Sequence, residues 1–178
     1  MKKLLVLIIV CLPILGLAQN KGGYAQLNGN YAVSRSLGDG AGGAFSVHRF
    51  MNKSTSIGGG FDVIKYKGLN KVSPSVYADL RGYFGSGIKK PLVYFSLTPG
   101  YYLYNYSYSV RSGFSMNNFS YSGGFLFGAG FGCILYSGKK IAPFVSVMYN
   151  NIPITLEDDK SEQTTRYNVF KINFGIAF

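Results

Sequence analysis

The chain has 178 residues, a formal net charge of +11 and no Trp, but 15 Tyr, 14 Phe and 24 Gly. Past its first eighteen residues it holds no apolar stretch of the ~20 residues that a spanning helix needs, so any membrane crossing must use strands. Excess Lys and Arg would ordinarily point to nucleic acid, but they are scattered through turns behind an export segment. The reading is therefore no nucleic acid, with solvent and anionic lipid headgroups as the surroundings.

Residues 1–18 differ in composition from the rest and read as a signal peptide. Lys2 and Lys3 start it, Leu4 to Leu17 is an apolar run, and Gly16 and Ala18 supply small residues before a cut at Gln19. Cys11 raises a lipid-modified N-terminus, against which stands the bulky Val10 before it. Cleavage leaves 178 − 18 = 160 residues, with 16 basic and 7 acidic side chains and a net +9. That length suits one domain, 19–178. Cys133 is then the single cysteine, so no intramolecular disulfide forms.

Eight runs with strand character follow, near 24–35, 43–50, 55–66, 74–84, 92–106, 121–136, 141–154 and 167–178. In the second, Arg49 shares parity with Phe45 and Val47, which places it at a membrane rim where it can snorkel. The third contains Gly58-Gly59-Gly60. With strand pattern on both sides these are no phosphate cradle, and they leave room for large neighbours. In the fourth, Val76, Ala78, Leu80, Gly82 and Phe84 oppose Tyr77, Asp79, Arg81 and Tyr83. Pro99 interrupts the fifth, where a bulge or bend is expected because proline donates no ladder hydrogen bond. In the sixth, Phe125, Phe127, Ala129, Phe131, Cys133 and Leu135 oppose Gly128, Gly130 and Gly132. The last alternates Phe170, Ile172, Phe174, Ile176 and Phe178 with Val169, Lys171, Asn173, Gly175 and Ala177, the two-residue period of a strand with one apolar face.

A soluble barrel hides its apolar face, yet here the inward set would have to hold Asp79, Arg81 and Lys171. Apolar outside and polar inside is the membrane arrangement. The connections near 36–42, 67–73, 107–120 and 155–166 are longer on average than those near 51–54, 85–91 and 137–140. Long outer loops alternating with short periplasmic turns give the same answer. The sequence thus predicts an all-β, closed antiparallel transmembrane β-barrel of about eight strands. Asp62, Asp79, Arg81 and Lys171 form its expected lumen charge network.

The export segment, the strand pattern and the terminal Phe178 together resemble the small eight-stranded outer-membrane barrels, the group that includes the OmpA transmembrane domain, OmpX and the opacity-type adhesins. The resemblance covers residues 19–178 and has no motif that selects a subfamily. It implies the bacterial outer membrane, after Sec-type export and cleavage near Ala18. It also implies that Phe170, Ile172, Phe174, Ile176 and Phe178 act as an assembly signal read by the barrel-assembly machinery. The expected partners are outer-membrane lipid, that machinery and an extracellular ligand of unknown identity.

Little in the chain points to chemistry. Some eight-stranded barrels modify lipid A with a His, a Ser and an acid near the outer leaflet, but His48 lies next to a periplasmic turn, with no second base. No catalytic residue is assigned. Glu157, Asp158, Asp159 and Glu162 lack the spacing of a calcium loop, and neither metal nor cofactor is expected. The aromatic stretch Tyr101 to Tyr108 can stack sugars or bases, but reads first as an interfacial girdle. Val110 to Asn118 reads as the loop best suited to surface contact. The expected function is non-enzymatic: envelope structure or surface interaction through outer loops. The alternative is a narrow channel for small solutes or ions, and behind it a lipid-modifying barrel enzyme.

Overall fold

A computed structural model describes residues 22–69, 71–84, 91–112, 115–135, 141–158 and 161–178, with residues 110–112 and 115–117 described by backbone alone. The signal segment and most of the turns near 85–91 and 137–140 lie outside the described residues. Ten strands are seen: β1 (Gly23–Val33), β2 (Gly40–Asn52), β3 (Thr55–Tyr66), β4 (Ser73–Phe84), β5 (Leu92–Tyr102), β6 (Asn105–Ser112), β7 (Ser115–Ser122), β8 (Phe125–Ile134), β9 (Ala142–Asp158) and β10 (Glu162–Ala177).

Eight of them close the barrel. The antiparallel order runs β10-β1-β2-β3-β4-β5-β8-β9, and β9 pairs with β10 to complete the circle. The β1–β10 seam extends to the final residue, where Phe178 and Ala25 exchange two backbone hydrogen bonds of 2.7 and 2.9 Å. A closed ladder leaves no edge, which is what a strand-built structure needs in lipid.

The alternation in the sequence is the alternation of the wall. Leu27, Ile57, Leu80, Phe127, Phe131, Val147, Phe170 and Phe174 stand exposed on the outer surface. Gln26, Ser46, Asp62, Asp79, Ser96, Ser146 and Asn173 are buried on the inner one. Arg49 pairs with Gly23 at the end of the barrel where β1 begins and β10 ends, and its side chain is exposed. At Pro99 the β4–β5 ladder lapses between the pairs Tyr77–Gly100 and Leu80–Leu97. The register is the same on either side, so the missing N–H causes an interruption without the extra residue of a bulge.

Two of the expected loops are strands. The connection near 107–120 folds as the β6–β7 hairpin, and Val110 to Asn118 belongs to it. The connection near 155–166 shrinks to residues 159–161, because β9 and β10 continue past the barrel rim. Glu157, Asp158 and Glu162 therefore lie on strands, while Asp159 is outside the described residues. β7 docks on the overhanging end of β9, from Phe119–Asp158 to Ser122–Thr155. The result is a four-stranded extension, β6-β7-β9-β10, rising from one side of the barrel mouth.

Polarity inverts where the barrel becomes the extension. Tyr149 and Phe170 are opposite one another on the outer face, with ring centroids 5.2 Å apart. The next rung on that face is Asn151–Asn168, joined by a 3.0 Å side-chain hydrogen bond, and beyond it comes Thr155–Thr164 at 2.9 Å. Across β6–β7 the same face carries Ser107–Ser120 and Ser109–Asn118. The inner face changes in the opposite sense, from Lys171, Asn150 and Asn173 to Ile152, Ile154, Tyr167 and Tyr121. A sheet that stands in water buries apolar groups and solvates polar ones, whereas one in lipid reverses this, so the Tyr149–Phe170 rung marks the upper edge of the apolar belt.

Candidate functional site

The lumen and the mouth are the two places where side chains converge. In the lumen, Asp79 and Arg81 sit two apart on β4 and point inward together, as strand period requires. Arg81 donates from Nε and Nη2 to Asp79 Oδ2 at 3.0 and 2.7 Å. Ser96 on β5 donates to Asp79 Oδ1 at 2.7 Å, and Arg81 Nη1 reaches the Tyr24 hydroxyl at 3.1 Å. The guanidinium also lies over the Tyr94 ring, 4.4 Å from its centroid. Asp79 is 2 % and Arg81 6 % exposed, so their charges compensate each other in a largely desolvated setting.

Asp62 and Lys171 form a second pair. Lys171 on β10 reaches Asp62 on β3, spanning the lumen past β1 and β2. Asp79 is level with Gly58, four residues from Asp62 along β3, so the pairs occupy tiers separated by roughly 13 Å of strand. The four charges expected on the inner face are all there, and parity alone could not assign their partners.

His48, expected beside a turn with no second base, has a serine and an acid among its neighbours. Its Nε2 lies 3.0 Å from Ser46 Oγ and 3.7 Å from Asp79 Oδ2. A nucleophilic relay needs serine and carboxylate on opposite ring nitrogens. Here both face Nε2, while Nδ1 abuts Gly58, where a Cβ would come within 2.5 Å. The Tyr24 ring stacks on the imidazole at 4.8 Å, and His48 is 1 % exposed. The glycines make this packing possible: a Cβ on Gly60 would meet the Tyr77 hydroxyl at 2.8 Å, and one on Gly132 the Tyr94 ring at 2.3 Å.

Apolar clusters bound the polar tiers at both ends. At the end where β1 begins and β10 ends, Tyr83, Tyr94, Ile134, Ala142, Phe144 and Ala177 pack together, with Tyr24 and Phe50 against them. Toward the mouth Ile64, Tyr66, Tyr102, Leu126, Ile152 and Val169 form a second cluster. The cavity left between them holds about 50 Å³, room for a few waters.

Above the outer cluster lies a cleft of about 410 Å³. Tyr106 and Tyr108 of β6, Tyr121 of β7 and Tyr167 of β10 form one wall, and Leu37 and Leu69 from the β1–β2 and β3–β4 connections form the other. Those connections are tied together: Gly68 N donates to Leu37 O at 2.8 Å, and Lys67 N to Asp39 O at 2.9 Å. Gly38 takes a φ of 70°, a conformation for which glycine is suited. The Tyr101 to Tyr108 stretch thus divides. Tyr101 is exposed on the outer wall as a girdle residue, Tyr102 and Tyr104 turn into the outer cluster, and Tyr106 and Tyr108 line the cleft. The girdle reading fails for the latter two because the chain leaves the barrel at Leu103 and Tyr104. Burial, reinforced by Tyr106, raises the Tyr104 hydroxyl above the ordinary range, and hydrogen bonding with Tyr108 does so for Tyr121. These hydroxyls stay neutral at physiological pH.

Among the described residues, no group of three or more His, Cys, Asp or Glu side chains is placed to hold a metal ion.

The sequence matches no protein-family model and no curated protein. Its fold is similar to that of solved barrels. The crystal structure of Neisserial surface protein A aligns at a TM-score of 0.61 and 16% identity, covering 88% of this chain and 96% of that one. The crystal structure of the N-terminal β-barrel domain of Pseudomonas aeruginosa OprF aligns at a TM-score of 0.50 and 11% identity, covering 87% and 97%. The fold is that of the small eight-stranded outer-membrane barrels.

Proposed function

We infer that the chain is a non-enzymatic, non-conducting protein of the bacterial outer membrane, exported with cleavage near Ala18, whose barrel is an anchor and whose extension meets the outside. The observation that carries this reading is the filled lumen. Two paired charge tiers lie between apolar clusters, with about 50 Å³ of open space. An eight-stranded barrel is just wide enough for its side chains to fill, and an ion would have to displace Tyr66 and Tyr102 at one end and Tyr83 and Tyr94 at the other. The outward Phe170, Ile172, Phe174, Ile176 and Phe178 form, on this reading, the signal by which the assembly machinery receives the last strand.

Against the lipid-modifying alternative stands the burial of His48 between Tyr24 and Gly58, where no lipid carbonyl can reach it. Single-channel recording in planar bilayers tests the anchor reading against the channel. The reading predicts a flat trace; steady, reproducible conductance steps would overturn it.

A further inference from the structure

The cleft at the mouth is unused by an anchor. Its dimensions, about 410 Å³, fall within the ~300–1,000 Å³ of small-molecule sites. Its composition is unusual for a surface that only needs to be wetted. Tyr106, Tyr108 and Tyr121 lie together on the inner face of the extension, with centroids 5.8 to 6.4 Å apart and Tyr108 and Tyr121 nearly parallel at 16°. With Phe119 stacked on Tyr108 at 5.2 Å, they make one aromatic surface along the cleft, set above the apolar belt and so in water.

Such a platform distinguishes among ligands. An acyl chain gains from apolar walls but brings no donor or acceptor to the phenol hydroxyls, of which those of Tyr108 and Tyr121 bond each other. A pyranose ring presents C–H groups on its face, which pack on an aromatic face, and hydroxyls on its edge, which pair with phenol groups. Lys71 adds a charge preference. Its Nζ lies 5.3 Å from the Tyr106 centroid, and it makes no ion pair among the described residues. Lys65 and Lys67 stand nearby on the same side of the mouth, one turned to the Leu69 carbonyl and the other to Asp39.

We propose that the outer cleft binds an acidic glycan, its sugar rings stacked on Tyr106, Tyr108 and Tyr121 and its carboxylate facing Lys71. The proposal rests on the outer-membrane reading only in placing the cleft outside the cell. Binding is measured in micelles and does not depend on that placement, so failure of the one is distinguishable from failure of the other. The same sugar chemistry occurs in the membrane's own outer-leaflet glycolipid and in glycans of other cells.

The test titrates the full barrel in detergent with a glucuronic-acid disaccharide and with its neutral glucose counterpart. Tyrosine fluorescence, unobscured because the chain has no Trp, and saturation-transfer NMR are the readouts. Saturable binding of the acidic sugar, several-fold tighter than the neutral one, is expected. Tyr106→Leu and Tyr108→Leu keep the cleft apolar but remove the ring face. Each should weaken binding about tenfold while the variant retains a barrel by heat-dependent gel migration. Lys71→Ala should abolish the preference for the acidic sugar and leave neutral binding intact. Competition by core oligosaccharide freed from lipid A identifies the membrane's own glycolipid as the source, and lack of competition identifies an external glycan. Absence of saturable binding by either sugar overturns the proposal, as does undiminished binding by both Tyr→Leu variants. A spin-labelled fatty acid that binds the cleft and displaces the sugar from those variants would show an acyl site instead.

Discussion

The lumen charges are held by geometry that a single atom can disturb. Asp79 accepts from Arg81 and Ser96, so removing Arg81 leaves a buried carboxylate with one neutral donor and His48 near it. Breaking a buried pair from one side costs ~3–5 kcal/mol, while replacing both members with apolar groups is often close to neutral. Urea unfolding in detergent should therefore show large losses for Asp79→Leu and Arg81→Leu separately and a much smaller loss for the double variant. Small losses that simply add would mean hydrated, independent charges. Gly132 offers a second probe. A methyl group there collides with the Tyr94 ring, on which Arg81 stacks, and overpacking of this kind costs ~1–3 kcal/mol. Gly132→Ala should lower stability by that amount. Gly43, on the outer surface of β2, is the control, since a Cβ there meets only Asn28 O at 3.3 Å.

At the scale of the strand, the sequence was legible wherever one face meets lipid. Period two sorted Val76 to Phe84, Phe125 to Leu135 and Phe170 to Phe178 correctly, because a belt in lipid tolerates few exceptions. The same rule hid the extension. Beyond Asn151 and Asn168 the outward face becomes Thr155, Glu157, Thr164 and Arg166, and a search for apolar alternation stops there although the hydrogen-bonded ladder continues. In β6 and β7 the alternation is between Tyr and Ser or Asn, which reads as a polar loop. Parity gives a residue's face but not its height or its neighbours, so Ser96, Tyr24 and His48 joined Asp79 only once register was known. The last strand carries its own prediction. Phe178 contributes two backbone hydrogen bonds to the seam, and these survive Phe178→Ala. If the side chain is an assembly signal, that variant should refold in micelles like the parent yet fall several-fold in outer-membrane abundance in cells. Equal abundance would assign the side chain to lipid contact alone.

The whole molecule behaves as three layers stacked along one axis: an aromatic floor, two polar tiers with their ion pairs, and an aromatic roof from which the extension rises. Every barrel strand pairs on both sides, so the closed ladder should resist detergent. Unboiled and boiled samples should migrate differently on gels, and identical migration would argue against closure. The outward belt and the rung at which it ends decide how the molecule sits in lipid. A spin-label scan along β10, placing one cysteine at a time from Thr164 to Phe178 in a background with Cys133 replaced, reads both in liposomes. A belt that ends at the Tyr149–Phe170 rung gives high oxygen accessibility at 170, 172, 174, 176 and 178, low accessibility at the residues between, and a switch to access by a water-soluble nickel complex from 168 outward. Nickel access throughout 170–178 would contradict it.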